Sequence, residues 1–138
     1  MFTAQVYKIA VLSLSGIMEE LYTAQEVIRN WNQENAERTS KLFLPVAEDV
    51  TASDADVVIG IVGNYIEKAD VIEEAVKAGK QVLLFFSKYQ NPENTIPAEV
   101  KAVEAFNKEM ESKCVCCEFN GKSDFMTVLS ECIERAIA

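Results

Sequence analysis

The chain has 138 residues, 49% hydrophobic and 25% charged, a balance ordinary for one globular domain spanning residues 1–138. Thirteen Lys and Arg against twenty-two Asp and Glu leave a net charge of −9, and the nearest thing to a basic cluster, Lys101, Lys108 and Lys113, is interleaved with Glu. Such a surface repels phosphate backbones and anionic lipid, so neither nucleic acid nor a membrane is an expected partner, and the absence of histidine excludes Ser-His-Asp and Cys-His catalysis and every imidazole metal site.

Residues 7–13 (YKIAVLS) read as a buried strand broken by Ser15-Gly16. From 17 to 32 the apolar positions Ile17, Leu21, Ala24, Val27, Ile28 and Trp31 mark one face of a helix. Ser15 is its expected N-cap, and Glu19 and Glu20 are first-turn acids suited to the helix dipole. Residues 41–46 (KLFLPV) form a short second strand, and 56–62 (DVVIGIV) a third, apolar throughout as a central parallel strand should be. Gly63-Asn64 ends it. A helix over 69–78 is stopped by Gly79, and 81–87 (QVLLFFS) is a fourth strand. The loop around Asn91-Pro92 and Asn94 leads to Pro97, first residue of a helix running to 112. Residues 114–119 form a fifth strand, and a helix over 124–137, capped by Ser123, completes the chain.

Strands alternating with helices predict a flavodoxin-like three-layer α/β sandwich around a five-stranded, mostly parallel sheet. One connection is unusual. Only residues 49–55 join the second strand to the third, where a parallel crossover takes about a dozen residues or more. Seven extended residues reach roughly 23 Å, enough to return along a strand but not to form a proper helix. Three solutions stay open: a bare-loop crossover, a second strand frayed at the sheet edge, or an antiparallel excursion. No segment reads as a signal peptide or a membrane span, so the expected location is cytoplasmic, with Cys114, Cys116, Cys117 and Cys132 as reduced thiols.

Several short motifs carry a resemblance over nearly the whole chain. They are Ser15, then Glu19, Glu20, Glu26, Val27, Ile28, Trp31 and Asn32 on the first helix, then Leu44, Pro45, Val46 and Glu48. The series continues in residues 54–62, Ala78-Gly79-Lys80, Phe86-Ser87 and residues 105–109. Their order resembles an uncharacterised bacterial domain, found at the N-terminus of defence and signalling proteins, with motifs S-S-P-x-D, E-E-R, W-N and L-L-P-V-x-W-E. That family is similar in turn to nucleoside 2-deoxyribosyltransferases and to TIR domains. The resemblance implies a flavodoxin-like fold and, among enzymes of the group, cleavage of N-glycosidic bonds by a carboxylate on the helix after the central strand. Two departures matter. The family's catalytic glutamate falls on Val71 in the register set by Gly79-Lys80, and its Gly-Thr pair falls near Glu67-Lys68. The segment between the second and third strands, which supplies pocket residues in the family, is cut to a short loop.

Candidate site residues gather where strands end. Ser13, Ser15 and Gly16 follow the first strand, where helix N-termini hold phosphate, although Glu19 and Glu20 oppose an anion and no Gly-rich fingerprint is present. Gly63, Asn64 and Tyr65 follow the central strand; Tyr65 can stack on a base and Asn64 can bond a ribose hydroxyl or base edge. Glu73 and Glu74 lie nearest the missing carboxylate and are the catalytic candidates, against their plainer role as the solvated side of an amphipathic helix. The cysteines suit core packing better than metal: strand alternation puts Cys114 and Cys116 on one face and Cys117 on the other, a poor tetrahedral set, with Cys132 distant in sequence. Trp31 reads as a core or interface aromatic.

The expectation is a non-catalytic TIR-like or deoxyribosyltransferase-like domain, without cofactor or metal, that binds a nucleotide-derived ligand or a protein partner. The alternatives are an N-glycosidic-bond-cleaving enzyme using a helix glutamate and a homo-oligomeric assembly module.

Overall fold

The computed structural model of the chain describes residues 1–15, 18–46, 54–88 and 95–136. The element order is β1 (Gln5–Ser13), α1 (Met18–Thr39), β2 (Lys41–Pro45), β3 (Val57–Val62), α2 (Ala69–Lys77), β4 (Gln81–Ser87), α3 (Pro97–Met110), β5 (Val115–Phe119) and α4 (Gly121–Ala136). The five strands form one sheet in the order β2-β1-β3-β4-β5, and every adjacent pair is parallel. This is the flavodoxin-like arrangement.

β3 is buried at all six positions, which its unbroken apolar run requires of a strand covered on both faces. One layer packs Ile9, Val11, Ile59, Ile61 and Phe85 against Leu21, Val27 and Ile28 of α1 and Phe125, Leu129 and Ile133 of α4. The other packs Ala10, Val58, Val62, Leu84 and Phe86 against Ile72 and Ala75 of α2 and Val103, Phe106 and Met110 of α3. Gly60 faces the second layer at its tightest point. A Cβ there would lie 2.7 Å from Leu84 Cδ2 and 3.1 Å from Leu14 Cδ1, so only glycine lets these side chains close over the strand.

The second strand resolves two of the open alternatives. β2 pairs with β1 in parallel over five positions, from Gln5↔Lys41 to Ile9↔Pro45, which rules out an antiparallel excursion and a frayed strand. Among the described residues between β2 and β3 there is no α-helix. On the sheet face that such a helix would cover, two apolar side chains of the described residues are exposed. Val6 and Leu44 are 49% and 47% exposed, and Val6 is registered against the half-buried Leu42.

The outer edge of β2 is closed by a side chain. The Asn32 amide donates to the Phe43 carbonyl at 2.7 Å and accepts from the Phe43 N–H at 2.9 Å. Beside it the Trp31 ring meets Phe43 edge-on, with centroids 5.1 Å apart. The adjacent pair Trp31-Asn32 thus fills the core with one residue and occupies a free strand edge with the next, a recognised means of keeping edges from pairing with other chains.

Helix ends differ from expectation for local reasons. α1 continues about two turns past Asn32 because Ala36 is buried, and the chain leaves the helix at Ser40 in a left-handed conformation, φ 55°. α4 begins at Gly121, φ 83°, rather than beyond Ser123. Its entry is held by the Asp124 carboxylate, which accepts from the Asn120 N–H at 2.7 Å, so Ser123 is not its cap. Pro97 opens α3 and Gly79, φ 77°, follows α2 as expected. The turn residues Asn91, Pro92 and Asn94 lie outside the described residues.

Replacing Asn32 by Ala leaves the Phe43 N–H and C=O without their partner. The expected result is a loss of about 1–3 kcal/mol of stability, read as a lower urea midpoint with an unchanged slope.

Candidate functional site

In a 2-1-3-4-5 sheet the chain leaves β1 toward one side and β3 toward the other, and the carboxyl ends of these two strands border a crevice. Here the two exits are bonded together. The Leu14 N–H donates to the Ile61 carbonyl at 2.8 Å, and the Glu67 N–H donates to the Leu14 carbonyl at 2.7 Å. The Ser15 hydroxyl accepts from the Gly63 N–H at 2.6 Å and donates to the Tyr65 carbonyl. Ser15 is 2% exposed, so its hydroxyl is committed to joining the β1 and β3 exits. Its described bonds run to the β3 exit; residues 16 and 17, through which it would cap α1, lie outside the described residues.

Of the sequence candidates, Ser13, Ser15, Gly63, Asn64 and Tyr65 meet along this rim. Gly63 is buried, whereas Asn64 and Tyr65 are half-buried. Gly16 lies outside the described residues. Glu73 and Glu74 sit on α2, whose buried residues are Ile72 and Ala75; helical spacing puts both glutamates on the opposite half, Glu73 half-buried and Glu74 exposed.

Two polar atoms near this rim are shut off from solvent and have no hydrogen-bond partner: Ser13 Oγ at the end of β1, and Glu20 Oε2 in the first turn of α1. Ser13 alternates with Ile9 and Val11 and so shares the face covered by α1. Glu20 lies on the stripe that continues through Ala24, Val27 and Trp31, the inward side of α1. Reading Glu20 only as a first-turn acid missed this. The signal was its phase: four residues before Ala24 and seven before Val27 is a core position. A buried polar atom without a partner is costly and calls for an explanation, as does the third such atom among the described residues, Trp31 Nε1 further along α1.

The β3–α2 connection carries a further mark. Lys68, immediately before α2, adopts a left-handed conformation (φ 60°, ψ 29°) and makes no side-chain capping bond. This backbone suits glycine, and a lysine there is held by its surroundings at a cost of about 1–2 kcal/mol. A separate open cavity of about 380 Å³, lined by Gln25, Arg29, Asn32, Pro45 and Val46, lies at the β2 edge rather than over the β1/β3 junction.

The cysteines divide as alternation predicts, with Cys116 against the α2/α3 layer and Cys117 against the α1/α4 layer. Burial is less complete than expected: Cys132 is buried, but Cys114, Cys116 and Cys117 are half-buried. Among the described residues no three Cys, Asp or Glu side chains group as a metal site, and no helix is long and apolar enough to cross a membrane.

Ser15→Ala removes the joint between the two strand exits and leaves the Gly63 N–H buried without an acceptor. The expected cost is about 1–3 kcal/mol, with faster hydrogen exchange at the Gly63 amide. Lys68→Gly relieves the left-handed backbone and is expected to raise stability by up to about 1 kcal/mol in urea denaturation.

No family model matches the chain, and no curated protein matches it. Similar solved structures include homoserine dehydrogenase from S. aureus. The structure at pH 7.0 is 14% identical over 84% of this chain, with a TM-score of 0.48. The structure at pH 6.0 is 12% identical over 86% of the chain, with a TM-score of 0.47. In both cases this chain spans 33% of the dehydrogenase chain.

Proposed function

We propose that the chain is a non-catalytic TIR-like or deoxyribosyltransferase-like domain whose β1/β3 rim binds the nucleoside part of a nucleotide-derived ligand. The observation that carries this reading is the pair of solvent-excluded, partnerless oxygens, Ser13 Oγ and Glu20 Oε2. A carboxylate oxygen accepts, so the missing partner is a donor: a sugar hydroxyl or an exocyclic amine. Glu19 and Glu20 in the first turn of α1 oppose a phosphate at the helix N-terminus, and the net charge of −9 adds to that repulsion. The half-buried Tyr65 offers a ring for a base at the same rim. The outward placement of Glu73 and Glu74 on α2 supports a domain without the group's usual carboxylate chemistry.

A second reading has its own observation. Glu20 is an inward-facing carboxylate beside the crevice, suited in type to attack or stabilise an anomeric carbon in N-glycosidic cleavage. That enzyme would use α1 in place of α2.

Thermal shift with ribonucleosides, deoxynucleosides, their monophosphates and NAD, with chromatography for released base, separates these readings. The expected outcome is stabilisation by a nucleoside, less by its monophosphate, with no base released. Ser13→Ala and Glu20→Gln should each weaken that binding on the order of tenfold or more. Base release that stops in Glu20→Gln, Glu73→Gln or Glu74→Gln would establish the enzyme instead. No shift with any nucleoside would remove the binding reading, and a multimeric mass by light scattering would then favour an assembly module.

A further inference from the structure

The fold brings together two cysteines that the sequence keeps apart. Cys117 on β5 points into the α1/α4 layer, where Cys132 lies on the buried stripe of α4 with Phe125, Leu129 and Ile133. Their sulfurs are 3.3 Å apart across fifteen positions of sequence. A disulfide needs about 2.0 Å, so the sulfurs must close by about 1.3 Å to bond. The other close pair, Cys114 and Cys116, faces the opposite layer.

We propose that Cys117 and Cys132 form an oxidation site, at which a hydroperoxide converts the two thiols to a disulfide that ties the edge strand β5 to α4. The chemistry balances with the peroxide as two-electron oxidant. The Cys117 sulfur, the more exposed of the two, attacks the terminal oxygen of the O–O bond and expels alcohol or water, leaving a sulfenic acid. The Cys132 sulfur then attacks the Cys117 sulfur, the S–S bond forms, and the sulfenic oxygen leaves as water with the Cys132 proton. Two thiols and one hydroperoxide give one disulfide, one water and one alcohol or second water. Burial, followed by the Cys117 thiol, pushes the Cys132 thiol up to about 12, so Cys132 keeps its proton at neutral pH and is not the sulfur that attacks the peroxide.

The position gives the bond a mechanical effect. β5 is paired on one side only, with β4, while α4 packs against both α1 and the sheet. A covalent tie from strand to helix holds the β5 edge to the α1/α4 face of the sheet and constrains the unfolded chain.

The test uses the full native chain treated with hydrogen peroxide, quenched, unfolded and alkylated without reductant, then digested with trypsin. Cleavage after Lys113, Lys122 and Arg135 puts Cys114, Cys116 and Cys117 in residues 114–122 and Cys132 in residues 123–135. The expected product is these two peptides joined, lighter by two hydrogen atoms than their sum, with the other two thiols alkylated. The link should persist in Cys114→Ser and Cys116→Ser and vanish in Cys117→Ser and Cys132→Ser. Should the buried Cys132→Ser variant fail to fold, the half-buried Cys117→Ser variant decides alone. The oxidised chain should melt at a higher temperature, and dithiothreitol should reverse the shift. Four alkylated thiols after peroxide, a bridge confined to residues 114–122, or an unchanged melting temperature would overturn the proposal.

Discussion

Covering both faces of β3 is the constraint on which the rest of this molecule depends. A strand buried at every position cannot tolerate a solvated side, so helices must lie above and below it. Because β3 runs parallel to both its neighbours, each connection crosses a face of the sheet. α1 and α4 close one face, and α2 and α3 close the other. Gly60 permits the second closure, since the atoms that meet over it leave no space for a methyl group.

The same constraint produces the crevice. β1 and β3 are adjacent, and beyond their ends the chain enters α1 on one face of the sheet and α2 on the other, the topological position of a crevice in such folds. Ser15 bridges the two strand ends, using one hydroxyl as both acceptor and donor. This ties the two exits together, while Ser13 Oγ at the end of β1 and Glu20 Oε2 in the first turn of α1 have no partners. The rim is tied where backbone meets backbone, and its unmet bonding capacity is a carboxylate oxygen that accepts and a hydroxyl that can donate or accept. That chemistry differs from a phosphate cradle, which presents backbone N–H groups and few acids.

The two sheet edges are handled differently. β2 is a short strand whose outward groups at Phe43 are taken by Asn32, while on the α2 side its Leu44 and the neighbouring Val6 of β1 are exposed. β5 is bounded by its connection to α4 and by an exposed ion pair between Lys88 and Glu118 at 3.0 Å, which adds little at that exposure. The Trp-Asn pair that carries part of the family resemblance thus has a structural explanation. One residue packs on Phe43 and the other satisfies its backbone, so the motif reports how an edge strand is built rather than what the crevice binds.

The alternation of apolar runs and amphipathic stripes determined the five strands and four helices of the described residues and their α/β class, because burial imposes its period directly on the residues. The unbroken apolar run of β3 marked it as central, and Pro97 and Gly79 marked helix ends through backbone geometry that no partner needs to supply. Other features depended on residues distant in the chain. Ser15 has the composition of a cap, but a partner forty-eight residues away made it a bridge. Glu20 carried its phase in the sequence, yet only the packed helix showed that this phase left a carboxylate oxygen shut from water. Cys117 and Cys132 became neighbours because α4 folds back over β5. Periodicity is local and can be read along the chain, whereas the bonding of a polar or sulfur atom is decided by what the fold brings to it.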